Sequence, residues 1–158
     1  MKKWIFYGGA IVGIAAVVFW GYWKSDRYSI LTVNGASVSL RDYHANLRGF
    51  EHYQRATGDS IDAEIVKRAI LLSFISDIIV RSELERRNLA SIAEQDAETA
   101  LEGEKRVELV GAARELYGWD IETFQRRALE PQARQAVLAD SLEKEGREFN
   151  AWLRGAFL

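Results

Sequence analysis

Residues 69–80 read AILLSFISDIIV, and on a helix this run is apolar on almost every side. A helix that is apolar all round is usually buried on all sides. At 12 residues, with Asp77 inside it, the run is too short and too interrupted to cross a bilayer. It predicts the middle of a central helix, residues 61–88, that the other helices surround. The charged end of this helix, residues 81–87, is expected to be solvated.

Cap and turn residues on either side of the central helix predict further helices. Ser39 and Asp42 have the spacing of a capping box, and the sequence TGDS at residues 57–60 combines a helix stop with the next N-cap. Ser91 and Glu94 form a second capping box. By residue number, the further helices are predicted at 39–56, 91–117, 120–129 and 131–153.

A short segment before the first helix predicts a β-hairpin. Asn34-Gly35, the strongest short hairpin-turn dipeptide, lies between the apolar residues 30–33 and 36–38. One hairpin or extended loop is too little for a larger sheet. The predicted fold class is therefore mainly α. A compact multi-helix domain over residues 30–158, with at most one small β-hairpin, follows a linker at residues 24–29.

The beginning of the chain contains a candidate membrane anchor. Residues 4–23 have no charged side chain and no Asn, Gln, Ser or Thr. As a helix, these 20 residues span roughly 30 Å, the hydrocarbon thickness of a bilayer. Aromatic residues cluster at both ends, as at membrane–water interfaces. A cleaved signal peptide and a soluble core helix are the competing interpretations; the length of the stretch and its FWGYW ending favour the anchor.

Residues near and within this stretch predict its orientation and packing. Lys2 and Lys3 form a positively charged tail, residues 1–3, which is expected to be cytoplasmic, with the rest of the chain on the other side of the membrane. Gly9 and Gly13 form a G-x-x-x-G pair, a spacing that lets two membrane helices pack closely. Glycine is also common in membrane helices without a partner, so this motif is a weak signal.

The composition argues against several classes of function. The 158 residues suffice for one domain, and a net charge of −2 argues against nucleic-acid binding through bulk charge. The chain has no Cys and two His, which removes disulfides, thiolate nucleophiles and multi-His metal sites. No phosphate-binding loop, dinucleotide motif or zinc-protease motif occurs. We therefore expect no metal, no cofactor and no enzyme activity.

Three polar residues are candidates for a catalytic group. His44 and His52 have no recognisable nucleophile motif and are expected to be solvated. Asp77 lies inside the apolar run, and a buried carboxylate needs a partner. We expect it to pair with an Arg or to lie on a face that reaches water. An enzyme with an unrecognised site is the least favoured class of function.

Five short motifs of the chain occur in the same order in one known family. Residues 33–35, VNG, followed by Val38-Ser39 and Tyr43, resemble the opening V-N-G-x-x-[IV]-[ST] of its N-terminal domain. Residues 74–80 resemble the central L-I-x-x-x-L-L helix of that domain. A Gly commonly takes the place of Asn88 after this helix.

The remaining motifs follow towards the C terminus. Residues 92–96, IAEQD, resemble the family's V-S-D-E-E cap, and residues 117–124 its G-x-[ST]-x-E-x-F turn. Residues 149–154 resemble its closing F-x-x-W-L segment. Over residues 30–153 the chain is thus similar to the N-terminal domain of the SurA/PrsA/PpiD-type extracytoplasmic chaperones. A single-pass N-terminal anchor also matches the PpiD-like branch.

The chain departs from the larger members of that family near its end. In those members a parvulin isomerase domain separates the N-terminal helices from the closing helix, whereas here about residues 141–148 do so. The resemblance therefore implies chaperone-type binding without proline isomerisation, and no catalytic residue is carried over. It implies a single-pass protein of the bacterial inner membrane, N-in and C-out. Its domain would lie in the periplasm or another extracytoplasmic space.

The functional hypothesis is a membrane-anchored, ATP-independent chaperone-like protein for unfolded or newly translocated polypeptides. A groove lined by aliphatic and aromatic side chains would bind extended chains with modest affinity. The anchor would raise the effective concentration near the translocation channel or another membrane protein. The alternative is a structural scaffold or adaptor subunit of a membrane complex. The sequence does not separate the two and leaves homo-oligomer formation open.

The candidate contact residues are aromatic and leucine side chains of the helical part. For any one of them a plain core position is the favoured interpretation, and Trp152 and Phe157 are the expected exceptions because they lie close to the C terminus. The full set is Tyr43, Leu47, Phe50, Tyr53, Leu116, Tyr117, Trp119, Phe124, Trp152 and Phe157.

Overall fold

The computed structural model of the protein describes residues 28–102 and 105–157. The predicted tail and anchor, with Gly9 and Gly13, lie outside the described residues. Within these two ranges, no helix combines the length and the apolar character needed to cross a membrane. The chain divides into two compact units, one ending at His44 and the other beginning at Ala45. It is mainly helical, with one small two-stranded sheet.

The first unit contains the predicted hairpin. Strand β1 (Ser29–Val33) pairs antiparallel with strand β2 (Ala36–Ser39). Asn34 and Gly35 have φ values of 49° and 83°. Positive φ at both central residues is the requirement of a type I′ turn, which glycine and asparagine tolerate best. The hairpin prediction is confirmed.

Helix α1 (Leu40–Thr57) begins directly after the hairpin. The amide of Asp42 donates to Ser39 Oγ over 3.0 Å, and Ser39 Oγ in turn donates to Asp42 Oδ2 over 2.7 Å. Ser39 is therefore the N-cap that its spacing predicts. Gly58, with φ of 76°, follows the helix and allows the backbone to leave it.

Helix α2 (Ala63–Arg86) is the longest helix in the described ranges. Its N-cap is Asp62, whose Oδ1 accepts the amides of Glu64 at 2.8 Å and Ile65 at 3.3 Å. The prediction that residues 57–60 contain this cap is wrong, because the connection continues past them. Asn88, with φ of 58°, turns the chain after the helix.

Burial along α2 differs from the sequence-based expectation. The prediction that the other helices surround α2 is wrong for its first half, where Ile65 is 62% exposed and Leu72, in the apolar middle, is 47% exposed. The second half carries Val80 and Leu84, which are fully buried. The charged end of the helix is thus part of the core region and not a fully solvated tail.

The core of the second unit forms around this second half of α2. Leu84 packs with Val80, Ala93, Leu138 and Leu142, all nearly inaccessible to solvent. These residues come from α2, from α3 (Ala90–Thr99) and from α6 (Glu130–Lys144). Helix α7 (Phe149–Ala156) contributes three partly buried residues packed against the core: Phe149, Trp152 and Leu153.

The C-terminal part contains more breaks than predicted. Instead of one helix at 91–117, the chain forms α3 and α4 (Lys105–Tyr117), and α3 starts at Ala90 without a side-chain cap from Ser91. Asp120 caps α5 (Ile121–Phe124) as predicted, because its Oδ1 accepts the Thr123 amide at 2.7 Å.

The last predicted helix is also divided. A π-helical turn (Gln125–Leu129) leads into α6, whose first turn holds Pro131. Proline has no amide hydrogen and fits the start of a helix. Gly146, with φ of 72°, separates α6 from α7, so the single helix predicted at 131–153 is wrong.

Candidate functional site

An apolar groove opens along the first half of α2 in the second unit. Its volume is about 310 Å³. It is formed by side chains from α1, from the α1–α2 connection and from α2, and all of them are uncharged. The lining residues are Phe50, Ile61, Ile65, Val66, Ala69, Ile70 and Ser73.

The groove exists because α2 carries two apolar stripes and one of them is covered. Val66 and Ile70, four residues apart, are buried. Ile65 and Leu72, seven residues apart, lie on a neighbouring stripe and are exposed, as is Ile61 in the α1–α2 connection. This exposed stripe and the side chain of Phe50 leave a continuous apolar surface that water contacts.

Two hydrogen bonds shape the polar parts of the groove. Gln54 Nε2 donates to the carbonyl oxygen of Ile61 over 3.0 Å and ties the α1–α2 connection to α1. Ser73 Oγ donates to the carbonyl oxygen of Ile70 over 2.8 Å. The hydroxyl hydrogen of Ser73 is therefore used within the helix, and the groove presents a mainly hydrocarbon surface.

Five candidate residues meet in what we call the aromatic cluster: Phe50, Tyr53, Tyr117, Trp119 and Phe124. The rings of Tyr117 and Trp119 stack at a centroid distance of 5.0 Å, and those of Tyr53 and Tyr117 at 5.7 Å. Phe124 lies 6.0 Å from Tyr117, and Phe50 lies 6.1 Å from Tyr53. Since Phe50 belongs to both, the cluster continues directly from the groove.

Two glycines allow the aromatic cluster to assemble. A Cβ atom at Gly49 would lie 2.2 Å from Trp119 Cζ2, so the indole ring needs a glycine beneath it. Gly118 has φ of 65°, and a Cβ atom there would lie 2.9 Å from His52 Cδ2. His52 Nδ1 lies 3.3 Å from the carbonyl oxygen of Leu116. The prediction of a solvated His52 is therefore wrong, because this ring is half-buried; His44 is exposed as predicted.

The other candidate residues lie elsewhere. Leu47 and Leu116 are half-buried, and Tyr43 belongs to the first unit. Phe157 is exposed, as expected. Trp152 is not, because the apolar face of α7 packs it against the core.

The sequence-based candidates missed most of the groove. The sequence predicts Ile61 and Ile65 in a helix that the others surround, although the spacing of Ile65 and Leu72 already places these two on one helical face. Ile61 lies before α2 in the structure. Spacing identifies a face but not whether another element covers it. The sequence therefore indicated an apolar stripe on a helix, but it did not indicate that this stripe is left open as a groove.

Asp77 has the arginine partner that its sequence context predicts. Arg134 Nε donates to Asp77 Oδ1 over 2.8 Å and its Nη2 to Oδ2 over 3.2 Å, while Arg81 Nη2 lies 3.3 Å from Oδ2. This two-point contact joins α2 to α6. The contact accounts for a carboxylate inside the apolar run as a structural link between the two helices.

A second ionic contact joins the ends of the same two helices. Glu83 accepts hydrogen bonds from Arg86 at 2.6 Å and from Arg87 at 2.6 Å, and together these guanidiniums lower the pKa of Glu83 to about 2. Arg87 also donates to Ser141 Oγ over 3.0 Å and pairs with Glu145. The carboxylates raise the pKa of Arg87 further above its ordinary value.

A larger polar cleft of about 490 Å³ lies beside the charged half of α2. Glu85, Glu94 and Glu98 line it together with Arg81 and Arg134. Both arginines are already paired with Asp77. In residues 28–102 and 105–157, no group of three or more His, Asp or Glu is arranged to hold a metal ion.

The sequence matches no protein-family model, no curated protein and no solved structure. The resemblance to the SurA/PrsA/PpiD-type domain therefore stays a prediction. What the described residues establish is a class of structure: a mainly helical protein with a small hairpin, an open apolar groove and an aromatic cluster beside it.

Proposed function

We propose that the chain is a membrane-anchored, ATP-independent chaperone-like protein without isomerase activity. It binds unfolded or newly translocated polypeptides through the apolar groove and the adjoining aromatic cluster. The observation that carries the proposal is the exposure of Ile61 and Ile65 in a groove whose lining is uncharged, next to the exposed Leu72 on the same helix as Ile65. Exposed apolar surface rimmed by polar residues is typical of a binding surface.

The size and chemistry of the groove favour an extended segment with apolar side chains. Its volume of about 310 Å³ lies at the lower end of ordinary ligand pockets. It accommodates a few side chains at a time and not the surface of a folded domain. Since no charge lines it, recognition depends on buried apolar area, which is tolerant of sequence. Ordering a flexible chain offsets much of that gain, so the affinity for any one segment is modest.

The predicted anchor at residues 4–23 supplements this weak binding. Tethering the groove to the inner membrane holds it near chains that leave the translocation channel and raises their effective concentration. In this proposal the groove faces the periplasm or another extracytoplasmic space. The backbone at Asn88 has the conformation that glycine adopts most readily, which is compatible with the glycine that the resembled family commonly has there.

The test measures aggregation of several unrelated unfolding proteins in the presence of the full chain in nanodiscs, without nucleotide. The key variant is Ile65→Gln, which removes the most exposed isoleucine of the groove. The matched control is Ile92→Gln, because Ile92 is also an exposed isoleucine on a helix, at 46% exposure, and does not line the groove. Glutamine is a good helix former, so both helices should persist.

The wild-type chain and the Ile92→Gln variant are expected to suppress aggregation of several clients. The Ile65→Gln variant should need about fivefold more protein for the same effect, which corresponds to roughly 1 kcal/mol of lost apolar contact. If the folded wild-type chain suppresses none of the clients, the proposal is wrong. Recovery of one membrane protein at fixed stoichiometry would then favour the scaffold alternative.

A further inference from the structure

The hairpin of the first unit starts close to the predicted membrane span. Residues 24–27 separate Trp23, the last residue of the span, from Tyr28, the first described residue. An extended chain covers at most about 3.6 Å per residue. The Cα atom of Tyr28 therefore lies within about 18 Å of the end of the span. The headgroup layer itself occupies roughly 5–8 Å on each side of the hydrocarbon core.

A backbone hydrogen bond closes the base of the hairpin at Tyr28. The amide of Leu40 donates to the carbonyl oxygen of Tyr28 over 2.8 Å, so the chain enters and leaves the hairpin at the same place. β1 and β2 are paired along their length. The hairpin is about 17 Å long at the usual rise per residue. The tether thus places the whole element within reach of the membrane surface.

The surface of the hairpin is uncharged. Residues 28–40 contain no Asp, Glu, Lys or Arg, although 28% of the chain is charged. Tyr28 is 55% exposed and Ile30 is 36% exposed. Ile30 is the extra residue of a β-bulge, because Ser29 lies opposite Ser39 whereas Leu31 lies opposite Val38.

Hydroxyl groups occupy another part of this surface. Thr32 Oγ1 and Ser37 Oγ lie 3.1 Å apart across the strands, and Ser29 Oγ lies 3.3 Å from Thr32 Oγ1. All three residues are exposed. Hydroxyls and a tyrosine ring suit a layer that is neither water nor hydrocarbon, because they combine apolar carbon with hydrogen-bonding oxygen.

We infer that this hairpin lies on the lipid surface beside the anchor, with Tyr28 and Ile30 in the headgroup region. The inference rests on the anchor of the proposed function and is independent of client binding. Burial of this surface desolvates no charge, which removes the main cost of entering the interface. Lys24 and Arg27 precede the hairpin in sequence and carry the charge that lipid phosphates attract, although Asp26 offsets part of it. The short tether favours a lipid surface over a protein partner as the occupant.

The absence of cysteine makes the test direct. The full chain carries a single introduced cysteine, Ile30→Cys or Tyr28→Cys, labelled with an environment-sensitive fluorophore and inserted in phosphatidylcholine–phosphatidylglycerol vesicles. Ile92→Cys is the matched control, since Ile92 is an isoleucine of comparable exposure on a helix of the second unit. Spin-labelled lipid and aqueous iodide serve as the two quenchers.

We expect spin-labelled lipid to quench the label at residue 30 at least twofold more than the label at residue 92, and iodide to show the reverse order. The label at residue 28 should behave like that at residue 30. Equal accessibility to iodide at residues 30 and 92 overturns the inference.

Alkaline extraction of the same vesicles separates this inference from the function it rests on. If the chain is released, the anchor is wrong and the inference fails with it. If the chain is retained but the hairpin labels are not quenched by lipid, the hairpin inference alone fails. Aggregation suppression, measured on the same labelled chains, reports client binding separately.

Discussion

The two halves of helix α2 (Ala63–Arg86) differ in a way that their composition does not suggest. In the first half, residues 63–74, apolar residues outnumber charged ones, yet Ile65 and Leu72 are exposed. The second half carries Asp77, Arg81, Glu83 and Arg86, yet it contains two fully buried residues of the core, Val80 and Leu84. Burial in this protein therefore follows from which elements pack against a face.

The second half is covered because its residues sort onto separate faces. Val80 and Leu84 lie four residues apart and meet α3 and α6. On the charged faces, Asp77 pairs with Arg134 of α6, and Glu83 pairs with Arg87. Arg87 in turn pairs with Glu145, directly after α6. In the first half, apolar side chains lie on more than one face of the helix, and the described elements cover the stripe of Val66 and Ile70. The uncovered remainder is the groove.

The largest expected effect comes from truncating the buried residue of the charged half. Leu84→Ala should destabilise the protein by about 2–5 kcal/mol, because it leaves a cavity in a packed core. Ile65→Ala, in the first half, should change stability by about 0.5 kcal/mol or less because its side chain is largely in water. Urea unfolding followed by far-UV circular dichroism measures both. Equal losses of stability in the two variants would contradict the difference in burial between the two halves of α2.

An intermediate effect on stability is expected from breaking the ion pairs of Glu83 in the second half of α2. Glu83 is half-buried, and its arginine partners lower its pKa to about 2, below the unfolded value near 4.5. Its contribution to the free energy of unfolding, about 1–3 kcal/mol, is therefore fully present above pH 4.5 and is lost as the pH falls towards 2. Glu83→Gln should cost a similar amount at pH 7 and flatten the acid limb of a stability–pH curve.

Glu64, in the open half, provides the control for this experiment. It pairs with Lys67 at 2.7 Å, but both side chains are well exposed to solvent. Glu64→Gln should change the free energy of unfolding by less than about 0.5 kcal/mol, since exposed pairs contribute little. An acid limb that is unchanged in Glu83→Gln would show that other carboxylates control acid unfolding.

The smallest of the three effects concerns the aromatic cluster beside the open half. Gly49→Ala should destabilise the protein by about 1–2 kcal/mol, because the new methyl group displaces the Trp119 ring. Gly111→Ala is the matched control on α4, where nothing lies within 4 Å of the new Cβ atom. It should stabilise by up to about 1 kcal/mol through helix propensity. Near-UV circular dichroism should change in the first variant alone.

Local signals predicted the turns and several caps. Asn34-Gly35 formed its hairpin turn, Ser39 and Asp120 capped their helices, and Gly58 followed the end of α1. These features depend on a few neighbouring residues, whose preferred backbone angles and hydrogen bonds are present in the sequence itself. The predicted pairing of Asp77 with an arginine succeeded for a similar reason, since a carboxylate in an apolar run requires a counter-charge.

Signals that depend on distant residues were less informative. Ser91 has the spacing of a capping residue, but the chain enters α3 one residue earlier. Trp152 lies near the end of the chain, yet it packs against the core because the apolar face of α7 meets α6. His52 lies among polar neighbours in sequence, but its ring contacts the backbone next to Gly118.

The sequence by itself determined the mainly helical character, the hairpin, the positions of several caps and the uncharged stretch at residues 4–23. These follow from local propensity and from hydrophobic periodicity, which act over a few residues. The tertiary structure alone decided which stripe of α2 is open and that Tyr53, Tyr117 and Phe124 share one cluster. The physical reason is that burial requires two surfaces in contact. The residues of one segment specify only the surface of that segment and not the element that covers it.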